Sequence, residues 1–305
     1  LIKAINLTPQ DIDSILNVDR TLWAFAVNQV VSNLDTYNGY YIHNYYLYQT
    51  KDGLFNMIPW DLSESFVGAI MGFSYFNPSS VYEYNPYFGE NSSDGRPLTE
   101  LLFSNSQYRK QYTAHMRTVI NESLDTAVVR VKINNLQSLV SNAASTDVNK
   151  GFNMNDYYNN VESSIFTSWG FGGIMSTIDA RKQYLLSHPE ISLTPPLVSS
   201  VNVSNNLLTT SVFNASVVEL MATTSQYNSK FQSFIMNDDG INGDVTANDG
   251  VYSILMPFVG NTNVKFYIRS QNNDAMMLSP ERAEYEFYEY STISGILDSP
   301  TSINK

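Results

Sequence analysis

The chain has 305 residues, 43% of them hydrophobic, which is ample for a buried core in each of about two domains. Its 17 basic and 29 acidic residues give a net charge of −12, so a nucleic-acid phosphate backbone would be repelled, and no local basic patch offsets that field. The absence of cysteine excludes disulfides, thiolate metal sites and thiol nucleophiles, and no run approaches the ~18 apolar residues of a membrane-spanning helix.

Leu1 begins without a start methionine, a basic segment or a cleavage site, so the sequence reads as a mature form or a fragment. Thr8-Pro9-Gln10-Asp11 has the pattern of an N-cap with proline at the first helical position, opening a short helix that ends near Asn17. Asp19 then reads as the cap of a second helix. In that helix Leu22, Trp23, Ala26, Val27, Val30, Val31 and Leu34 follow the 3.6-residue period, so one broad face packs inward and Asp35 falls on the loop at its end. Residues 44 to 49 and 54 to 59 are rich in Tyr, Phe, Ile and Leu. Thr50-Lys51-Asp52-Gly53 lies between them, a hairpin signal because Asp-Gly readily adopts positive φ. Pro59 closes the second strand just before Trp60-Asp61.

Residues 69 to 97 combine Gly, Asn, Pro, Ser and aromatics with little periodicity, the pattern of a long loop that acts as a lid or substrate-facing insertion. Helical patterns resume at 98 to 104, 107 to 124, 125 to 143 and 174 to 187. Pro195-Pro196 marks a boundary. Beyond it, alternating strands are predicted at 197 to 203, 207 to 213, 215 to 223, 230 to 236, 251 to 256, 263 to 270 and 283 to 290, the pattern of an immunoglobulin-like or fibronectin-like sandwich. From Ser291 onward the chain is polar and reads as an extended linker. The expected fold class is therefore α+β: a mainly helical region around one hairpin (1–192), an all-β sandwich (193–290) and a polar tail (291–305).

Asp35 precedes the predicted hairpin and Asp61 follows it. Protein kinases place a catalytic-loop Asp, a short pair of strands and a Mg²⁺-binding Asp in that order, because one carboxylate handles the acceptor hydroxyl while another holds the metal. The same spacing also suits two ordinary roles, Asp35 capping a turn and Asp61 capping a following helix. A carboxylate pair for glycoside hydrolysis is a third reading of these two residues, supported only by the aromatics of 73 to 88 and the sandwich.

Leu34-Asp35-Thr36-Tyr37, His43-Asn44-Tyr45-Tyr46-Leu47-Tyr48 and Ile58-Pro59-Trp60-Asp61, followed by Ser65-Phe66-Val67-Gly68, resemble the core signature of the CotH family, the spore-coat-type protein kinases. Tyr108-Arg109-Lys110-Gln111-Tyr112 and Arg181-Lys182-Gln183-Tyr184 resemble the family's closing helices, so the resemblance covers about residues 1 to 190. It implies a kinase-like carboxyl-terminal lobe with Asp35 as catalytic carboxylate, Asp61 as Mg²⁺ ligand, Asn44 as a further Mg²⁺ ligand and ATP as co-substrate. It also implies Ser/Thr of an extracellular or coat protein as acceptor, and a secreted or cell-surface bacterial protein. Abundant Tyr agrees with such a setting. Asn44 has an equally good structural role, pinning the hairpin entrance. His43 reads as a packing or hydrogen-bonding residue ahead of a proton shuttle, and Trp60 is expected to pack behind Asp61.

Two departures stand out. Where some family members carry a second acid after the Trp-Asp pair, this chain has Ser63, with Glu64 beside it. No glycine-rich phosphate loop is present, and no strand lysine pairs with a helical glutamate; Lys3 lies in a predicted helix. The chain thus reads as one lobe of a longer kinase, or as a non-catalytic kinase-like scaffold for surface adhesion or assembly with a protein partner.

A second constellation runs from Asn237 to Tyr252. Asp238, Asp239, Asn242, Asp244 and Asp249 are separated by glycines and read equally as Ca²⁺ ligands or as turn formers. Gly240 and the lack of a closing Glu exclude an EF-hand. His-Glu-x-x-His, Gly-x-Ser-x-Gly and Gly-x-x-x-x-Gly-Lys motifs are absent, and His43, His115 and His188 are too scattered to read as a ligand set.

Overall fold

The computed structural model describes residues 1–66, 82–166, 170–258, 260 and 262–300. The first part of the expected 69–97 loop lies outside the described residues. Among those described there are eight α-helices and several antiparallel sheets, a mixed α+β architecture. None of these helices is long and apolar enough to cross a membrane.

The amino-terminal region opens with α1 (Ile2–Leu7), a 3₁₀ turn (Pro9–Asp11), α2 (Ile12–Ile15) and α3 (Val18–Val30). Asn17 caps α3, accepting from the Arg20 N–H at 3.1 Å, which corrects the assignment of the cap to Asp19. Both residues fit the Asx-before-apolar pattern, but Asp19 sits two residues further in, inside the first turn, and is buried. The hairpin consists of β1 (Tyr45–Gln49) and β2 (Phe55–Pro59) in antiparallel register, Tyr45 facing Pro59 and Gln49 facing Phe55. Its turn depends on Gly53 at φ 92°.

Helices α4 (Pro97–Ser104), α5 (Ser106–Ser123), α6 (Thr126–Thr146), α7 (Met154–Asn159) and α8 (Ile174–Ser187) complete this region, with a short strand pair, β3 (Ile165–Phe166) and β4 (Gly170–Phe171), before α8. Asn105 and Asp125 cap α5 and α6 through two backbone N–H groups each, which stops the chain from running the two helices together. The core is built where α3 crosses α5: Leu22, Phe25, Ala26 and Val30 meet Tyr112, Met116 and Ile120, with Leu102 and Leu185 closing the sides. From the aromatic loop, Tyr87 is buried in this core and Tyr84 against Leu34, so these two rings are packing residues and not an open stacking platform.

Beyond residue 196 the chain forms two antiparallel sheets. One joins β5 (Leu197–Ser204), β6 (Leu207–Phe213) and β9 (Val251–Leu255). The other contains β7 (Val217–Thr223), β8 (Gln232–Ile235), β10 (Asn263–Gln271), β11 (Met276–Ser279), β12 (Tyr288–Ser291) and β13 (Ile296–Asp298). Leu208 and Val212 from the first sheet share one apolar cluster with Val218, Leu220, Phe266 and Ile268 from the second. Two expectations are corrected. The strand placed at 283–290 is confined to β12 at its end, since around 283–284 the chain docks on the helices, and β11 before Pro280 is a strand the pattern did not predict. The stretch after Ser291 is not an extended linker up to Asp298: Gly295, at φ 68°, donates to the Ser291 carbonyl, and the turn returns the chain as β13.

The two regions share a polar and apolar seam. Trp23 Nε1 donates to the Ala283 carbonyl at 2.7 Å, and its ring stacks on His115 at 4.0 Å. Asp19 accepts from Gln111, His115 and the Glu284 N–H. Ala114 of α5 joins Met221, Tyr267, Met276, Leu278 and Ala283 in a small apolar cluster.

Candidate active site

The site grows from the end of α3. Ser32 turns into the left-handed region at φ 52°, stopping the helix, and the loop that follows rests on buried amides. Gln29 Nε2 donates to the Asn38 carbonyl at 2.5 Å, Asn38 Nδ2 returns to the Phe25 carbonyl at 3.2 Å, and Asn33 Nδ2 bonds Asn28 Oδ1 at 2.9 Å. Asn33 Oδ1 then accepts the Asp35 N–H at 3.2 Å. A Cβ on Gly39 would lie 2.3 Å from the Leu34 carbonyl oxygen, so only glycine permits the loop to close this tightly.

Two arginines fix the loop from outside. Arg96 Nη2 donates to the carbonyls of Gly39 and Tyr40 at 2.8 and 2.9 Å. Arg181, with no solvent exposure, donates to the carbonyls of Tyr82, Tyr84 and Gln29 at 2.8, 2.6 and 2.7 Å; its burial lowers the guanidinium to about 10, still charged at neutral pH. Each guanidinium satisfies carbonyls that a loop buried this deeply would otherwise leave unpaired.

Asp35 is thereby held with its side chain only 15% exposed. Its Oδ2 accepts from Asn44 Nδ2 at 2.7 Å, and its Oδ1 lies 3.1 Å from His43 Nδ1. Asn44 stands at φ 54° at the entrance of the hairpin, and its carbonyl accepts the Trp60 N–H at 2.9 Å. Asp61, at φ 45°, follows directly. One residue therefore ties the Asp35 loop to the strand end that carries Asp61, and both roles open to Asn44 in the sequence, site member and entrance pin, are available to it. Trp60 is exposed and packs edge-on against Tyr46 at 5.6 Å, not behind Asp61. Strand alternation puts the two rings on the outer face of the hairpin.

After Asp61 the chain folds back. Ser65 donates to the Leu62 carbonyl and Phe66 to the Val31 carbonyl, the last residue of the α3 turn. This return brings Glu64 beside both aspartates. Burial and then the charges of Asp35 and Asp61 raise the Glu64 carboxyl above its usual range, and Glu64 Oε2 is buried without a hydrogen-bond partner among the described residues. Asp61 is fully solvated; the Ser63 hydroxyl and N–H hold it below the ordinary carboxylate range.

The Asp/Asn-rich loop lies apart from this cluster. Oxygens of Asp238, Asp244 and Asp249 lie within 4.8 Å of one another, the one such group of three among the described residues. Each already accepts backbone N–H groups: Asp238 from Asp249 and Gly250, Asp244 from Gly240 and Thr246, Asp249 from Val251. Asp239 turns to the Ile241 N–H, and Asn242 sits at φ 56°. The loop thus brings three of its five candidate ligands together and leaves Asp239 and Asn242 beside them.

A buried helix delivers one acidic loop, and a hairpin whose second strand ends beside Asp61 is tied to that loop through Asn44, in the order of the matched family. Residues 2–169 match the family described as CotH kinase protein, and the chain belongs to that family. A comparison with curated proteins finds no match.

Proposed function

We propose that this chain carries the carboxyl-terminal catalytic half of an atypical Ser/Thr protein kinase, which transfers the γ-phosphoryl group of ATP to a hydroxyl of an extracellular or coat protein. On this reading residues 1–192 are the kinase-like lobe and 193–290, extended by β13 to Asp298, an immunoglobulin-like module, in a secreted or surface-associated bacterial protein. The observation that supports it most is that Asn44 binds the Asp35 carboxylate and also the Trp60 N–H next to Asp61, while the charges of both aspartates act on Glu64.

Asp35 orients the acceptor hydroxyl and receives its proton. The acceptor oxygen bonds to the γ-phosphorus as the bond to the ADP oxygen breaks. The hydrogen bond from Asn44, the His43 ring 3.1 Å from the other oxygen and a buried loop limit the positions the Asp35 carboxylate takes. Mg²⁺ fits the donors present: carboxylate and amide oxygens are hard ligands, and Glu64 Oε2 is a buried oxygen without a hydrogen-bond partner among the described residues, under the charges of two aspartates. Asp61 and Asn44 would hold the ion, with Glu64 standing in for the acid absent at Ser63. When bound, it neutralises phosphate charge.

The alternative reading, a non-catalytic kinase-like scaffold for adhesion or assembly, draws support from Ser63 and from the full solvation of Asp61. Calorimetry of Mg²⁺-dependent ATP binding to the full-length protein that carries these residues separates the two. The kinase reading expects binding that Asp61→Ala weakens at least tenfold; the scaffold reading expects no binding.

The Asp/Asn-rich loop would suit Ca²⁺, whose flexible oxygen shell accepts the carboxylates of Asp238, Asp244 and Asp249 with Asp239 and Asn242 alongside. A Ca²⁺ site there requires that Ca²⁺ raise the unfolding temperature and that Asp244→Asn abolish the rise; an unchanged temperature leaves the loop as a set of turns.

A further inference from the structure

The seam between the helical region and the C-terminal sheets encloses a cavity of about 420 Å³, lined by none of the residues around Asp35. That volume lies in the range of small-molecule sites, roughly 300–1,000 Å³. Gln107 and Tyr108 of α5 line it from one side, and Phe231, Arg269 and Glu284 from the other.

The charges around it are already used. Arg269 Nε and Nη2 bind the two oxygens of Glu219 at 2.7 and 2.9 Å. Both Asp19 oxygens accept hydrogen bonds from Gln111, His115 and the Glu284 backbone. Lys230 Nζ donates to the Asp52 carbonyl at 2.6 Å, and Asp13 accepts from the Tyr108 hydroxyl. Glu284 is buried against Asp19 and accepts from the Tyr267 hydroxyl at 3.1 Å; burial and then the Asp19 charge push its carboxyl well above the usual range. An anion in the cavity therefore meets Arg269 already balanced by Glu219, and Lys230, an exposed side chain, as the remaining lining cation.

What the cavity does offer is a set of polar groups with hydrogen-bonding capacity left over: the Gln107 amide N–H groups and the outer N–H groups of Arg269 as donors, and the Tyr108 phenol oxygen and the Glu284 carboxyl as acceptors. With its amide turned to satisfy both groups, Gln107 accepts from Arg269 Nη1 at 3.1 Å, which fixes its orientation. Beside them lie the Phe231 ring and the apolar side chains of Leu54 and Met221. Clustered hydroxyls on one side and C–H faces on the other are the complement of that lining. We propose that the seam cavity binds a neutral sugar unit, its hydroxyls on Gln107, Tyr108 and Arg269 and its C–H face toward Phe231. The site is independent of phosphotransfer at Asp35.

Ligand-observed saturation-transfer NMR on the intact chain with glucose, galactose, mannose and N-acetylglucosamine tests this, with phosphorus line broadening of inorganic phosphate as the charged counter-probe. The expected result is saturation transfer to at least one sugar and no phosphate broadening. Gln107→Leu should weaken sugar binding about tenfold, with circular dichroism unchanged. Tyr108→Phe, which keeps the ring, should weaken it several-fold and carries the test if Gln107→Leu does not fold. A chain that binds none of the four sugars, that binds phosphate instead, or whose sugar binding survives both substitutions unchanged overturns the proposal.

Discussion

Asn44 donates its side-chain amide to Asp35 at 2.7 Å while its carbonyl receives the Trp60 N–H at 2.9 Å, so a single residue sets the loop of one aspartate against the strand end of the other. Asn44→Ala keeps the hairpin register, which rests on five residue pairs, but frees the Asp35 carboxylate. Phosphotransfer should fall about 10- to 100-fold, the usual consequence of losing a group that orients a functional carboxylate. Steady-state kinetics check this: the loss should fall on kcat, with the KM for the protein acceptor nearly unchanged.

Arg181 is expected to be a stability residue. Arg181→Met fills the space with an apolar chain but strands the carbonyls of Tyr82, Tyr84 and Gln29, each of which now has a guanidinium donor. At roughly 1 kcal/mol or more per orphaned buried carbonyl, the loss is about 3 kcal/mol. Denaturant unfolding should show it as a lower midpoint at constant slope.

The seam between the regions has a defined pH signature. Glu284 has its folded value raised well above an ordinary carboxyl by burial and then by Asp19, so the folded chain holds a proton that the unfolded chain releases above about pH 4.3. Its contribution is therefore fully present below that pH and is lost as pH rises. Glu284→Gln mimics the protonated form: it should unfold at a higher temperature than wild type at pH 7.5, by about 2 °C per kcal/mol gained, and the gap should shrink toward pH 5. Glu219 does not confuse that range, because Arg269 and Ser233 outweigh its burial and keep it below the usual carboxylate value.

Trp23 tests whether the seam is structural. Trp23→Phe keeps a ring against His115 but removes the donor to the buried Ala283 carbonyl, at a cost of about 1–3 kcal/mol. Both regions should lose stability together in thermal unfolding followed by near-UV circular dichroism; loss confined to one region contradicts a shared seam.

Local signals carried most of the elements. The predicted helix 107–124 is Ser106–Ser123, that at 174–187 is Ile174–Ser187, and the hairpin strands lie within one residue of their expected bounds, because caps, periodicity and Asp-Gly act over a few residues. Asp35 and Asp61 were legible from their order around that hairpin. The supports of Asp35 were not. Asn28, Gln29, Asn33 and Asn38 read as ordinary polar positions, yet all four are buried, and Arg181 reaches the Gln29 carbonyl across 152 positions of chain. Nothing local distinguishes such residues from solvated ones. Glu64 was visible only as the neighbour of Ser63; its approach to both aspartates depends on the Phe66 to Val31 hydrogen bond, which no spacing rule anticipates. Asp19 was misread for the converse reason, since its partners on α5 and at Glu284 lie more than 90 residues away.

The most direct test of the account is transfer of radiolabelled γ-phosphate from Mg-ATP to casein by the full-length protein carrying this chain, measured beside Asp61→Ala. The account predicts phosphate incorporation by the wild type and none above background by Asp61→Ala, with identical far-UV circular dichroism. Wild-type-level transfer by a folded Asp61→Ala protein, or no transfer by the wild type to casein or to itself, would contradict it.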